Sequence, residues 1–173
     1  VYRVCPHGCN QRGGAVLMVI FGIDCGFSGA ISIYRPSLGL IEVHDMPVMK
    51  SAKGKTILNL HGVLDLLGRE DDTPHVAVIE QVAAMRGQGV TSMFRFGQGY
   101  GQVEMAIAAQ GLPVHYVTPQ KWKGHFGLSR DKGVSRSVAS QRFPQIAPQF
   151  ARVKDDGRAE ACLIALYGKE KLI

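Results

Sequence analysis

Long hydrophobic runs are missing from this sequence of 173 residues. A membrane-spanning helix needs roughly 18 to 20 consecutive apolar residues. The best run, from Ala15 to Ile33, is interrupted by Asp24. The sequence therefore predicts a cytoplasmic protein without a membrane anchor, and its length is sufficient for one domain with a substantial core but not for two.

Cysteine is scarce, with four residues in the chain. Cys25 and Cys162 lie inside apolar patterns, as is typical of small core residues in a reducing compartment. Cys5, His7 and Cys9 could ligate zinc, but the segment does not supply a full tetrahedral ligand set. The cysteine pattern therefore does not indicate a disulfide framework, and it does not favour a zinc site.

The amino-terminal segment lacks any periodicity that would predict a helix or a strand. It covers residues 1–17, after which Met18 leads directly into an apolar, β-branched run. We therefore predict a non-native or disordered leader over residues 1–17 and one domain over residues 18–173.

Acidic residues are in the minority, since 14 Asp and Glu face 20 Lys and Arg, which gives a formal net charge of +6. Most of this excess lies in one part of the chain, where eight basic residues accompany a single acid, Asp131. Such a segment favours contact with nucleic-acid phosphates, with a solvated helix face as the alternative. The eight basic residues are Lys121, Lys123, Arg130, Lys132, Arg136, Arg142, Arg152 and Lys154.

The pattern of apolar residues predicts an α/β fold. Short β-branched runs at residues 19–23, 30–34 and 39–44 predict three strands in an antiparallel meander. Two further buried strands are predicted at residues 76–79 and 114–117, and helical segments separate them from their neighbours. The resulting order, β-β-β-α-β-α-β-α-α, predicts a mixed five-stranded sheet flanked by helices.

Four helices and two loops complete this prediction. Gly111 and Gly168 are expected to end the second and the last helix, because glycine is common directly after a helix. Residues 46–55 and 85–95 are expected to form loops. The predicted helices cover residues 58–67, 98–110, 134–143 and 159–167.

Acidic residues stand at the ends of three predicted elements. Asp24 ends the first strand and Glu80 ends the fourth, while Asp156 and Glu160 share one face at the start of the last helix. Acids at such positions are often only solvated residues or compensate the helix dipole. Carboxylates from three separate segments are also what a two-metal phosphodiesterase needs, because oxygen ligands hold Mg²⁺. Whether they converge is not visible in the sequence.

The motifs around these acids resemble those of RuvC-type Holliday junction resolvases, which are crossover junction endodeoxyribonucleases of the RNase H-like superfamily. The resemblance is to the compact form common in bacteriophages and prophages, and it extends from about Val19 to Tyr167. It is carried by the segments GIDCGFSGA (22–30), IE (79–80) with MRGQGVTSMF (85–94), TPQKWK (118–123) and DGRAEA (156–161).

The resemblance implies an RNase H-like fold, a homodimer and paired nicking of four-way DNA junctions with Mg²⁺, which Mn²⁺ can replace, in the bacterial host cell if a phage encodes the protein. It implies no nucleotide cofactor. By position, Asp24 and Glu80 would be the first two catalytic, metal-binding carboxylates. Asp156 and Glu160 would complete this catalytic metal site.

The match departs from the family pattern at two positions. Cys25 stands where the family often has proline, and Glu160 stands where it often has aspartate. Because the spacing of the last cluster varies in the family, Asp155 stays open as an alternative to Asp156.

Residues expected to contact DNA lie in the segment after Glu80 and in the basic segment. Apolar side chains near a junction can stack on unpaired bases, and arginines can bind phosphates. For Phe94 the alternative is a core position at the start of the next helix. The candidates are Arg86, Phe94, Arg95, Lys121, Lys123, Lys132 and Arg136.

Other functions are also compatible with parts of the sequence. Actin-like ATPases begin with a similar Asp-x-Gly strand, but their duplicated domain does not fit into 173 residues. An RNase H-like nuclease for other branched DNA or for RNA–DNA hybrids remains an alternative. So does a catalytically silent protein that binds branched DNA.

Overall fold

The computed structural model describes residues 17–68, 73–83, 87, 89–129 and 132–173. The predicted leader, apart from Leu17, lies outside the described residues, and so does the segment with Cys5, His7 and Cys9.

A mixed five-stranded sheet with the order β3-β2-β1-β6-β7 forms the centre of the fold. Its strands are β1 (Val19–Asp24), β2 (Ala30–Arg35), β3 (Leu40–Asp45), β6 (His75–Glu80) and β7 (Val114–Val117). β2 runs antiparallel to both β1 and β3, whereas β6 runs parallel to both β1 and β7. The predicted mixed sheet with three antiparallel strands at its amino end is thus confirmed.

Helices pack on both faces of the sheet. They are α1 (Leu60–Leu67), α2 (Val90–Ala109), α3 (Pro119–His125), α4 (Lys132–Arg142) and α5 (Asp156–Lys171), with 3-10 turns at Pro36–Leu38, Pro144–Phe150 and Val153–Asp155. None of the helices in the described part of the chain is long and apolar enough to cross a membrane.

Alternation along the strands divides the core into two layers, because successive side chains of a strand point to opposite faces. Phe21 and Ile23 pack in the layer that also contains residues of α1 and α2. Ile20 and Val78 pack in the other layer, together with the apolar residues of α5. The sheet is therefore buried on both sides, as expected for a strand pattern with near-continuous apolar residues.

Helix α5 lies at backbone contact distance from β1 and from the turn that follows it. A Cβ atom on Gly22 would lie 2.2 Å from the carbonyl oxygen of Ala161, and a Cβ on Gly157 would lie 2.5 Å from that of Ser28. The buried Ser32 hydroxyl donates a hydrogen bond of 2.9 Å to the Ala161 carbonyl. Glycine at these positions therefore fixes how closely α5 approaches the end of β1.

The prediction of a loop over residues 46–55 is wrong in part. β4 (Val48–Lys50) pairs with β5 (Thr56–Leu58) in a short antiparallel hairpin whose turn contains Gly54 at φ 72°. All three residues of β4 are exposed, so the strand carries no apolar alternation that would have revealed it. Helix α3 was not predicted either, although Pro119 occupies the first turn that favours proline.

Two predicted helix boundaries also need correction. α2 begins at Val90 rather than at Gln98, because the exposed residues of its first turns hide the helical pattern. α5 continues to Lys171 rather than ending at Gly168. A Cβ on Gly168 would lie 2.6 Å from the Val78 side chain, so this glycine serves packing and not helix termination.

We predict that Gly22→Ala lowers the free energy of unfolding by about 3 kcal/mol, because the backbone atoms of α5 that its Cβ would meet cannot move away cheaply. Urea unfolding followed by circular dichroism would measure the loss. Gly124→Ala is the matched control, since its Cβ would meet nothing within 4 Å and alanine favours a helix by about 0.5–1 kcal/mol. Equal stability of Gly22→Ala and wild type would contradict the close packing.

Candidate functional site

Asp24 and Glu80 lie side by side at one edge of the sheet. Ile23 of β1 pairs with Ile79 of β6 in parallel register, so the residues that follow them reach the same edge. Neighbouring strands are separated by roughly 4.8 Å. Because Ile23 belongs to the layer of α1 and α2, the side chain of Asp24 points to the α5 side of the sheet.

Helix α5 adds two further acids to this edge. Its first turns place Asp156 and Glu160 around an open cleft of about 980 Å³, which Asp24 also lines. Lys123 of α3 and Ser135 of α4 also line this cleft. The cleft therefore gathers side chains from a strand and three helices.

The electrostatics of the site show that its carboxylates interact. Burial and the negative charges of Glu160 and Glu80 raise the pKa of Asp24 to about 7, against smaller opposing effects of the Gly26 N–H and of Lys123. The Gly26 N–H lies 3.5 Å from the Asp24 carboxylate. Three acids from distant parts of the chain thus lie within electrostatic reach of one another.

Glu80 is held by the only tryptophan of the chain. Trp122 is fully buried, and its indole N–H donates a hydrogen bond of 2.9 Å to Glu80 Oε1. Burial raises the pKa of Glu80, while the Trp122 hydrogen bond and the Lys123 charge act in the opposite direction. The sequence left the role of Trp122 open, because its partner is 42 positions away.

Two cations lie directly against the acids of α5. Lys123 Nζ is 3.2 Å from Glu160 Oε1, and Arg136 Nε is 2.9 Å from Asp156 Oδ1. The second pair is close, but neither of its two buried atoms makes a well-directed hydrogen bond. Arg136 and Asp156 therefore form an ion pair in which Asp156 Oδ1 can still accept a hydrogen bond.

Asp155, the alternative to Asp156, is engaged elsewhere. Its carboxylate accepts hydrogen bonds of 2.8 Å from the backbone N–H and from the guanidinium of Arg152. These bonds lower the pKa of Asp155. Since Asp155 is only 2% exposed and does not line the cleft, the structure places Asp156 and not Asp155 in the candidate site.

The residues predicted to contact DNA have different surroundings. Phe94 is 73% exposed on α2, which excludes the core position considered for it. Arg95 donates a hydrogen bond of 2.5 Å to the Thr56 carbonyl and lies over the ring of Phe27. Lys121 is exposed on α3.

Two of the residues predicted to contact DNA lie wholly or partly outside the described residues. Arg86 lies outside the described residues, and Lys132 begins α4 with a side chain that is outside them as well.

The carboxylates fit a hard divalent cation by their chemistry, since Mg²⁺ prefers oxygen ligands. Besides burial, the negative charges of Glu160 and Glu80 raise the pKa of Asp24. A divalent cation would neutralise these charges. In the present arrangement, no three His, Cys, Asp or Glu side chains of the described residues are close enough to hold a metal ion. Binding of a divalent cation would therefore require Glu160 to release Lys123 and Asp156 to release Arg136.

Comparisons with known proteins identify the fold. One similar structure is T. thermophilus RuvC in complex with a Holliday junction substrate, with 21% identity, coverage of 89% of this chain and 96% of that chain, and a TM-score of 0.56. This chain has the RuvC-like fold. A second structure of Thermus thermophilus RuvC gives 19% identity, coverage of 88% and 96%, and a TM-score of 0.53. No protein-family model and no curated protein matches the sequence.

The RuvC-like sheet therefore provides the frame on which these acids are placed near one cleft. In this chain Asp24 and Glu80 end parallel neighbouring strands, and α5 adds its two acids from one side. The mixed five-stranded sheet flanked by helices that the sequence predicts is the one that the structure shows.

We predict that Asp24→Asn stabilises the metal-free protein at pH 8 and not near pH 4. The folded-state pKa of Asp24, about 7, exceeds the ordinary value of 3.8 for an aspartate, so ionisation of Asp24 increasingly disfavours the folded state between these pH values. The gain has an upper limit of about 4 kcal/mol.

Urea unfolding with a chelator at pH 4 and pH 8 measures this difference. Asp65→Asn, which changes an exposed acid on α1, is the matched control. A gain of the same size at both pH values would show that the Asp24 carboxylate is not destabilised by its neighbours.

Proposed function

We propose that this protein is a metal-dependent DNA endonuclease that resolves four-way junctions or related branched DNA, of the compact type encoded by phages and prophages. The proposal is supported by the position of Asp24 and Glu80 at the ends of neighbouring strands of a RuvC-like sheet, with Glu160 within electrostatic reach of Asp24. The similar T. thermophilus RuvC is described in complex with a Holliday junction substrate, which supports branched DNA as the substrate.

In this proposal Asp24, Glu80, Asp156 and Glu160 hold Mg²⁺, for which Mn²⁺ can substitute. Two bound ions would supply an activated water and stabilise the leaving oxygen of the phosphodiester. Trp122 fixes the orientation of Glu80 through its hydrogen bond. The buried position of Glu80 limits the access of bulk water to its carboxylate.

Lys123 and Arg136 have two roles in this proposal. Each now neutralises a carboxylate of α5. When a cation takes over that task, both side chains become available to a DNA phosphate in the same cleft. Lys154 of the basic segment also lines this cleft, and the exposed ring of Phe94 can stack on an unpaired base.

A homodimer is part of the proposal, and the outer face of α2 supports it. Val90, Phe94 and Met105 are 87%, 73% and 65% exposed, although they are apolar. Gly97 and Gly101 lie between them, and a Cβ at either would meet nothing within 4 Å. These residues recur at helical spacing and form one stripe, against which a second α2 could pack closely.

Asp24→Asn should reduce cleavage of a labelled four-way junction in Mg²⁺ by at least about 100-fold, because the substitution removes a ligand charge worth several kcal/mol in the transition state. Binding of the junction should persist, since the basic surface is unchanged. In addition, Mg²⁺ should raise the unfolding midpoint of wild type but not of Asp24→Asn.

Asp65→Asn serves as the control with the same change in charge. Cleavage by Asp24→Asn at the wild-type rate would refute the site. Parallel assays with forks, flaps and RNA–DNA hybrids separate a junction resolvase from a nuclease of other specificity, and binding without cleavage of any substrate would indicate a catalytically silent protein.

Met105→Glu should weaken dimerisation by at least about tenfold, because an unpartnered charge in an apolar interface is costly. Analytical ultracentrifugation measures the dissociation constant. Met49→Glu is the matched control, since Met49 is also exposed but lies on the β4–β5 hairpin. A wild type that is monomeric, or a Met105→Glu variant that dimerises normally, would contradict the α2 interface.

A further inference from the structure

The hairpin of β4 and β5 begins at the same edge of the sheet as the acids. Asp45, the last residue of β3, pairs with Ala30, and Ala30 also pairs with Asp24 of β1. The chain enters β4 three residues later. β3 is two strands away from β1, which corresponds to roughly 10 Å. The hairpin therefore starts near the cleft and on the β3 side of it.

The hairpin is the basic part of an otherwise uncharged stretch. Lys50, Lys53 and Lys55 lie within it, and no acid occurs between Asp45 and Asp65. All three lysines are exposed. Lys50 Nζ donates a hydrogen bond to the Thr56 hydroxyl across the hairpin, and the other two lysines flank the Gly54 turn. The charge is thus concentrated at the tip.

The base of the hairpin is tied to the body of the protein. Met46 and Leu58, at its two ends, are buried in the core. The backbone N–H of Asn59 donates to the Pro47 carbonyl at 2.9 Å, and Arg95 of α2 donates to the Thr56 carbonyl. The lysines are therefore carried by a short ordered element and not by a free loop.

Arg95 also connects the hairpin with the turn that follows Asp24. Its guanidinium lies 5.5 Å from the centre of the Phe27 ring, and this ring packs against Gly99 of the same helix. Arg95 was predicted to contact DNA, but these contacts give it a positioning role. It holds the hairpin at a fixed place relative to the acidic cleft.

We propose that the basic hairpin binds the sugar–phosphate backbone of DNA on the side of the cleft opposite to α3. This inference rests on the proposed function. The order β3-β2-β1-β6-β7 puts the hairpin beyond one side of the acids and the residues that follow β7, including Lys121, beyond the other. DNA that crosses the cleft therefore meets positive charge on both flanks of the scissile phosphate.

The test compares two double variants that remove the same charge. Lys53→Gln with Lys55→Gln changes the hairpin, and Lys169→Gln with Lys171→Gln changes the far end of α5. That end lies away from the acids, because Asp156 starts α5 beside the cleft and Gly168, twelve residues further along the helix, lies against Ile20 near the start of β1.

Both double variants are made in the Asp24→Asn background, and their binding to a four-way junction and to a linear duplex is measured over a range of salt concentrations. The hairpin variant should bind both about five- to tenfold more weakly, and the slope of log K against log salt should become shallower by about two. The control should stay within about twofold. Hydroxyl-radical footprinting should show protection lost on one flank of the scissile phosphate in the hairpin variant alone.

The hairpin proposal is overturned if both double variants bind equally well, or if the hairpin variant keeps the complete footprint. Thermal unfolding of each variant establishes that the fold is intact. Cleavage is measured separately with the same lysine variants made in the protein that retains Asp24. A wild type that binds DNA but does not cut it would refute the proposed nuclease activity, and the binding comparison would still test the hairpin.

Discussion

The close packing of α5 on β1 is the constraint on which the site depends. Gly22 and Gly157 allow the helix backbone to approach the strand and its following turn, and the Ser32 hydroxyl satisfies a helix carbonyl in the contact. Any larger residue would move the helix outward. Asp156 and Glu160 would then withdraw from Asp24, so a packing requirement in the core decides the geometry of acids at the surface.

Burial and mutual repulsion of the acids cost folding free energy, and several neighbouring side chains offset part of this cost. Asp24 and Glu80 ionise less readily than isolated acids because they are buried and close to other carboxylates. Lys123, Arg136 and Trp122 offset part of this cost by contacting the remaining acids or Glu80. In the proposed function, a divalent cation would take over the negative charge that Lys123 and Arg136 now neutralise.

The sheet and the strand-end acids could be predicted from the sequence because β1 and β6 are continuous apolar runs that stop abruptly at a charged residue. The short hairpin could not, since its strands have three residues each and β4 lies exposed. Nor could the contact of Trp122 with Glu80 or that of Arg95 with Thr56, because each joins positions about 40 residues apart. Asp155 and Asp156 are adjacent in the sequence, but Asp155 is buried against Arg152, whereas Asp156 lines the cleft and contacts Arg136.

The position of Trp122 gives the protein an internal optical probe. Its indole is the single one in the chain and is shielded from solvent, with its N–H bonded to an acid of the cleft. Indole emission responds to the local electric field, so any change in the charge on Glu80 alters the fluorescence spectrum. Occupancy of the acidic cleft can therefore be followed in the unlabelled protein, in real time and without a nucleic-acid substrate.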